Sequence, residues 1–306
     1  MLSICIPVYN YNVNELISKL SQQCDNLEIE YEIIVIEDGS DKEHLNKLED
    51  YKNLKHIVLK ENLGRSSIRN KLANTATFSK ILFLDCDSIP PTDQFIKVYI
   101  ENKDINEVIC GGTIYNDEQY KPELSLRYWY GINREMTSAN ERNKESNKSF
   151  TTNNFLISKS VFEKLKFREF LNKYGHEDSL FGFELKKNGM SIQHIDNPVI
   201  HCGLEDNATF LSKTRCAIDN LILIEQEESI DKDFFNEINL IRAYNKSKKT
   251  GLIFIQKLFF NIFGRMIKKN LTEGAKPSMF MLDLYKLDYY SKKKFYEKKK
   301  LKNIQS

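Results

Sequence analysis

Two aspartates, Asp85 and Asp87, stand one residue apart at the end of the apolar run Ile81–Leu84, just ahead of Pro90 and Pro91. A short run of large apolar residues bounded by breakers predicts a buried strand. Carboxylates at the C-terminal end of such a strand lie where open α/β sheets bind their ligands. Acids this close repel each other unless a cation sits between them. A hard divalent ion with oxygen ligands answers that need and brings a phosphate-bearing substrate with it. An isolated Asp-x-Asp also fits a solvated acidic turn, so the other strand ends have to decide.

The elements that would position these acids read as alternating strands and helices. Leu2–Val8 predicts a first strand, ending at Tyr9-Asn10, and Asn14–Cys24 a helix with Leu16, Ile17 and Leu20 at helical spacing. Tyr31–Ile36 predicts a second strand, running into Glu37-Asp38-Gly39-Ser40, and residues 41–51 a short helix. Lys55–Leu59 predicts a third strand, Ser66–Ala76 a helix carrying Arg69 and Asn70, and Ile81–Leu84 the fourth strand. This alternation implies an α/β fold: a mostly parallel, doubly wound sheet with helices on both faces. Its strand ends converge on one rim. Asp38 is placed there to accept hydrogen bonds from a base or a ribose, and Gly39 lets the backbone approach closely.

Several classes are disfavoured. No Gly-x-Gly-x-x-Gly follows the first strand and no Gly-Lys-Ser/Thr is present, against a dinucleotide fold and a P-loop NTPase. The 306 residues are 41% hydrophobic and 29% charged, with a net charge of +2, so nothing draws the whole chain to nucleic acid. The six cysteines are scattered without a Cys-x-x-Cys, which fits reduced thiols in a cytoplasmic protein. Met1–Pro7 lacks the basic and long apolar regions of a signal peptide. No uninterrupted apolar run reaches the ~18 residues of a spanning helix.

Four stretches in order, Pro7-Val8-Tyr9-Asn10, Glu37-Asp38-Gly39-Ser40, Asn62-Leu63-Gly64 with Arg69-Asn70, and Asp85-Cys86-Asp87, resemble the family 2 glycosyltransferases of the GT-A fold. The resemblance covers about residues 1–205. It implies a nucleotide-sugar donor, a UDP-sugar, and a divalent metal, Mn2+ or Mg2+. It further implies that Pro7 and Tyr9 line the base pocket and that Asp38 contacts uracil or ribose. Arg69 would lie near the diphosphate, Asp85 near the ribose or the metal, and Asp87 on the metal.

The second half extends the same resemblance. Val108–Tyr115 predicts a strand, and Asn140–Ser149 a mobile loop that would act as a lid over the donor. Phe150–Ile157 resembles the stretch lining the sugar pocket, where Asn153 and Asn154 would bond sugar hydroxyls, since an amide both donates and accepts. Glu177-Asp178, opening an apolar helical run, resembles the family's acidic signature. A helix N-terminus keeps a carboxylate anionic, as a general base requires. Asp178 is assigned as the base and Glu177 as the adjacent acid, binding the acceptor. Met190–His201 predicts a strand pair, and His201 corresponds to a histidine that supplies an extra metal ligand in some GT-A enzymes; imidazole suits manganese better than magnesium. His194 is expected to pack.

Beyond the catalytic domain (1–205, with a nucleotide half 1–115 and a sugar and acceptor half 116–205), residues 206–306 predict a helical extension. Asn207–Gln226 and Leu252–Leu271 are its main helices, and Lys286–Lys302 a basic tail. Aromatic and aliphatic residues with basic flanks suit an interfacial helix, giving 252–302 a peripheral contact with an anionic membrane. The expected reaction is transfer of a hexosyl or N-acetylhexosaminyl group to a glycan or lipid-linked acceptor, with inversion, in surface polysaccharide synthesis. Two other classes remain: a nucleotide-sugar-binding scaffold without turnover, and a sugar-phosphate nucleotidyltransferase.

Overall fold

The computed structural model describes residues 1–48, 51–171 and 173–305, and side chains as far as residue 297. In chain order the first half comprises β1 (Leu2–Val8), α1 (Asn14–Asn26), β2 (Tyr31–Glu37), β3 (Leu54–Val58), α2 (Arg65–Thr75), β4 (Lys80–Leu84), β5 (Ser88–Ile89), α3 (Phe95–Asn102), β6 (Val108–Cys110) and β7 (Thr113–Ile114). The middle comprises α4 (Ser125–Tyr130), α5 (Ala139–Lys144), β8 (Asn154–Ser158), α6 (Lys159–Lys164), α7 (Glu177–Lys187), β9 (Gln193–His194) and β10 (Val199–His201). Helices α8 (Asn207–Gln226), α9 (Asp233–Glu237), α10 (Asn239–Lys249), α11 (Leu252–Glu273) and α12 (Met279–Gln305) follow.

The chain divides into two compact units. The first holds residues 1–116, 134–172 and 177–203; the second holds 117–133, 173–176 and 204–306.

In the first unit a seven-stranded sheet has the order β3-β2-β1-β4-β8-β6-β9. β1 pairs in parallel with β2 and β4, and β8 runs antiparallel between β4 and β6. A second sheet, β5-β10-β7, brings β10 alongside β5 and β7. Strand side chains alternate between faces, so each apolar run feeds two cores. Ile4, Ile6, Ile33 and Val35 pack with Leu16, Ile17 and Leu20 of α1. Cys5, Ile34, Ile36 and Phe83 pack with Ile68 and Leu72 of α2 and with Phe155, Phe162 and Phe181. This two-sided burial is why the central strands read as unbroken apolar runs. Phe83 stacks on Phe155 and Phe162 with centroids 4.8 and 5.4 Å away. Truncating it to alanine would cost about 3–5 kcal/mol.

The parallel pairing of β1, β2 and β4 puts their C-terminal ends, with Tyr9, Asp38 and Asp85, on one rim. Glu37, fully buried, holds the rim loop: it accepts hydrogen bonds from Asn46 N and Nδ2 (3.1 and 2.7 Å) and from Ser40 Oγ (2.6 Å). Gly39, at φ +73°, has its Cβ position 2.5 Å from Asn62 N, so only glycine fits that turn.

Three expectations change. The helix over residues 41–51 contracts to a single 3-10 turn, Lys42–His44; Glu49 and Asp50 lie outside the described residues. The strand Val108–Tyr115 breaks at Gly111-Gly112 into β6 and β7, which join different sheets. The stretch Asn140–Ser149 is not a loose loop. Ser138 caps α5, buried Arg142 donates to the carbonyls of Gly111 and Ile195, and Asn147 Nδ2 donates to those of Gly182 and Met190. Polar composition there reflects backbone satisfaction.

In the second unit, α8, α11 and α12 pack around Phe210, Leu211, Phe260, Ile267, Leu271, Leu282 and Tyr285. Asp206 caps α8 by accepting from Ala208 N and Thr209 N, both at 2.9 Å. The basic tail expected over Lys286–Lys302 continues α12; the side chains of 298–302 lie outside those described. Among the described residues no single helix is long and apolar enough to cross a membrane.

Candidate active site

The rim acids are engaged by arginines from the start of α2. Arg69, 2% exposed, donates from Nη2 to Asp85 Oδ1 at 2.6 Å and from Nη1 to the Arg65 carbonyl at 3.0 Å. Arg65 Nη2 lies 3.6 Å from Asp85 Oδ2, and Arg65 Nε lies 2.6 Å from Glu177 Oε1. One guanidinium therefore joins the end of β4 to the start of α7. Sequence reading selected Arg69 on this helix and passed over Arg65. The more accessible of the two is Arg65, its side chain 35% exposed. Its signal was its place directly after Gly64, at the first position of the helix.

Glu177 is buried. Burial alone would raise its carboxyl, but Arg65 and Arg69 hold it below the usual carboxylate range. Asp178, half-buried beside it, behaves oppositely: burial and then the Glu177 charge push it up to about 6, against hydrogen bonds from Ser179. Ser179 N and Oγ donate to Asp178 Oδ1 at 2.6 and 3.2 Å. Two neighbouring acids thus have affinities for protons driven apart, the arrangement that separates an ionised partner from a titrating base.

Asp87 reaches toward β10. Its Oδ2 lies 3.1 Å from His201 Nε2. The His201 ring stands edge-on to Tyr115, centroids 5.8 Å apart, and Tyr115 donates its hydroxyl proton to Glu135. Gly203 lies against the same carboxylate: a Cβ there would be 2.2 Å from Asp87 Oδ2. Cys202 N donates to the Asp87 carbonyl at 2.7 Å. Among the described residues no three His, Cys, Asp or Glu side chains form a metal cluster. The pair nonetheless fits a divalent ion. A carboxylate oxygen and an imidazole nitrogen facing each other at this distance are donor types that would hold one. Asp85, also expected near the metal or the ribose, is paired with Arg69 and Arg65.

Asp38 is 5% exposed, and its carboxylate accepts from Leu63 N and Gly64 N at 2.7 and 3.2 Å. Burial raises its proton affinity against these two bonds. It orders the Asn62-Leu63-Gly64 turn and retains unused lone pairs. Tyr9 is 54% exposed at the end of β1, where it follows half-buried Pro7 and buried Val8. Asn153 Nδ2 donates to Thr113 Oγ1 at 2.7 Å, and its carbonyl accepts from Asp85 N at 3.1 Å. A cavity of about 180 Å³ opens beside Thr113, lined also by Gly111, Met136, Ser138 and Asp196.

Asn154 corrects its expectation. It is fully buried; Nδ2 donates to the Gly112 and Asn197 carbonyls (3.0 and 2.9 Å), and Oδ1 accepts from Tyr99 at 2.7 Å. Its amide groups are committed to the fold and do not face a sugar. His194 packs as expected: Arg142 Nε donates to its Nδ1 at 3.1 Å, and its Nε2 meets the Ser146 carbonyl at 2.8 Å.

A sheet with acids on its carboxyl rim, an arginine-bearing helix behind them and an acidic pair opening a later helix defines the GT-A class. The protein-family model for glycosyl transferase family 2 matches residues 3–166, and the chain belongs to that family. It is similar to an uncharacterized glycosyltransferase, YfnE, of Bacillus subtilis (25% identity over 233 residues, 67% of this chain and 58% of that protein). It is also similar to an undecaprenyl-phosphate 4-deoxy-4-formamido-L-arabinose transferase of Proteus mirabilis (31% over 100 residues, 30% of this chain and 31% of that protein). The chain thus spans only part of the length of these curated relatives. Among solved structures, Staphylococcus aureus TarS 1–349 superposes with a TM-score of 0.51 at 16% identity, covering 94% of this chain and 88% of that one. A mannosyltransferase of Pyrobaculum calidifontis, in complex with GDP-Man and Mn2+, gives 0.51 at 11% identity, covering 97% and 87%. At such identities the likeness is one of fold.

Proposed function

We propose that this chain transfers a hexosyl or N-acetylhexosaminyl group from a nucleoside-diphosphate sugar, a UDP-sugar, to an acceptor hydroxyl with inversion. The observation that carries this reading is Arg65, whose guanidinium joins Asp85 on the sheet rim to Glu177, the immediate neighbour of Asp178, whose carboxyl burial pushes up to about 6.

Tyr9 and Pro7 flank the nucleoside base, and the unused lone pairs of Asp38 accept from the base or the ribose. Asp85, held by Arg69 and Arg65, lies toward the ribose. Arg65 faces the diphosphate from the start of α2. Asp87 and His201 would hold a divalent ion, imidazole favouring manganese, and that ion when bound would neutralise charge on the leaving diphosphate. Thr113 and Asn153 bond hydroxyls of a sugar ring in the neighbouring cavity. Asp178 takes the proton of the acceptor hydroxyl, which attacks the anomeric carbon, while Glu177 binds the acceptor. A single base and in-line attack give inversion. The similarity to an undecaprenyl-phosphate sugar transferase supports a lipid-linked acceptor.

The test is release of UDP from a panel of UDP-sugars with glycan and lipid-phosphate acceptors. Transfer should require manganese, stop with EDTA and drop at least about a hundredfold in D178N. Near wild-type transfer by D178N would overturn the assignment of the base. Binding of UDP-sugars with no turnover under any acceptor would leave a binding scaffold.

A further inference from the structure

Helix α11 is apolar on two opposite sides. On one side Phe260, Gly264, Ile267 and Leu271 are buried within the second unit. On the other side Phe254 is 74% exposed, Ile255 65%, Leu258 62% and Ile262 64%, with Leu252 and Met266 about half exposed. At ~100° per residue these six span an arc of roughly 160° centred opposite the buried stripe, over about 20 Å of helix. A helix lying on a protein surface ordinarily turns polar residues outward. A contiguous apolar face of this kind marks an interaction site.

Charge identifies the occupant. Residues 246–276 carry eight basic side chains and one acid, Glu273, in a chain whose net charge is +2. Lys248 and Lys249 lie at the end of α10, just before the 108° bend into α11. Arg265, Lys268 and Lys269 are exposed at the other end of the patch. A second copy of this chain would set basic rim against basic rim. A spanning orientation is opposed by the buried stripe on the far side and by Lys257, Asn261 and Arg265 within the helix. An anionic lipid surface satisfies both features, taking up aromatic and aliphatic side chains at the acyl boundary and meeting Lys and Arg with phosphates.

We propose that the exposed face of α11 docks in the plane of an anionic phospholipid bilayer, with Phe254, Leu258 and Ile262 entering the interface and the flanking basic residues binding lipid phosphates. The proposal is independent of the sugar-transfer reading, because it is read by lipid binding alone.

The experiment is sedimentation of the full chain with vesicles of phosphatidylcholine, and of phosphatidylcholine with phosphatidylglycerol. Binding should be at least about tenfold stronger to the phosphatidylglycerol vesicles, and should fall as salt is raised. F254S/L258S/I262S should abolish it while the far-ultraviolet circular dichroism and thermal unfolding stay those of the wild type. K268E/K269E, altered only at exposed positions, should weaken it at least about thirtyfold. The proposal is overturned by equal binding to both vesicles, by no binding to either, or by wild-type binding in both variants. It is equally overturned if light scattering shows a dimer that the triple serine variant converts to monomer, because a second copy then covers the face.

Discussion

Arg65 Nε lies 2.6 Å from Glu177 Oε1, and the same guanidinium reaches Asp85 across the rim. This places one positive charge beside a buried carboxylate whose neighbour, Asp178, is the candidate base. Removing the charge has two consequences. R65Q leaves Glu177 buried without its ion-pair partner, which should cost about 2 kcal/mol; complete burial of both partners would cost ~3–5 kcal/mol, but part of Arg65 stays in water. Arg65 also lowers the proton affinity of both acids. The acidic limb of the pH–rate profile in R65Q should therefore move to higher pH. Thermal unfolding and a pH series of kcat/KM read the two effects separately.

The pH dependence of the wild type follows from Asp178. On the proposed assignment as base it acts only when ionised, so with its carboxyl at about 6 kcat/KM should fall about tenfold per pH unit below that value. Stability should run the other way. A carboxyl raised on folding contributes stability that is full below the ordinary carboxylate range and is lost as pH rises through about 6. E177Q removes the charge that, after burial, does most to raise Asp178. Its acidic limb should shift to lower pH, opposite to R65Q. A shift in the same direction in both variants would rule out the coupling described.

Asn154 separates a fold role from a sugar contact. N154A removes three buried hydrogen bonds; the Gly112 carbonyl keeps Val199 N and the Tyr99 hydroxyl keeps the Asn154 carbonyl, but the Asn197 carbonyl loses the Asn154 amide. Unpaired buried polar groups cost about 1–3 kcal/mol each, so the melting temperature should drop by several degrees. At a temperature where N154A remains folded, KM for the donor should be close to wild type. N153A should show the converse, a raised KM with little change in melting temperature.

Much of the sheet was legible because its strands are buried on both faces, and such strands print as unbroken apolar runs: β1, β2 and β4 end within a residue or two of their expected limits. The acids at their ends were legible for the same reason, since a strand's end fixes where its next side chains project. Arg65 was not, because a charged residue in the first turn of a helix looks like any solvated one until the fold supplies Asp85 and Glu177 from residues 20 and 112 positions away. Asn153 and Asn154 looked alike in sequence; the strand's alternation sends one toward Thr113 and the other into the core. The order of residues 139–149 was hidden because Arg142 and Asn147 bond distant backbone carbonyls, and nothing in the local composition records this.

Gly203 provides the sharpest test of the Asp87–His201 pair. A Cβ there would come 2.2 Å from Asp87 Oδ2 and 2.9 Å from Asp87 Cβ. Contacts that short are not sustained, so G203A must displace the carboxylate from its place beside His201 Nε2. The backbone bond from Cys202 N to the Asp87 carbonyl does not need the glycine, and the rest of the fold should persist. Small displacements of a ligand or its supports cost about 10–100-fold in metal affinity. Activity titrated with manganese should therefore reach half-maximum at a concentration higher by that factor, approaching the wild-type plateau at saturation. H201A should raise the same midpoint, and the double variant should be less than additive, because both changes act on one pair. An unchanged manganese midpoint in G203A and H201A would show that Asp87 and His201 form only a structural hydrogen bond.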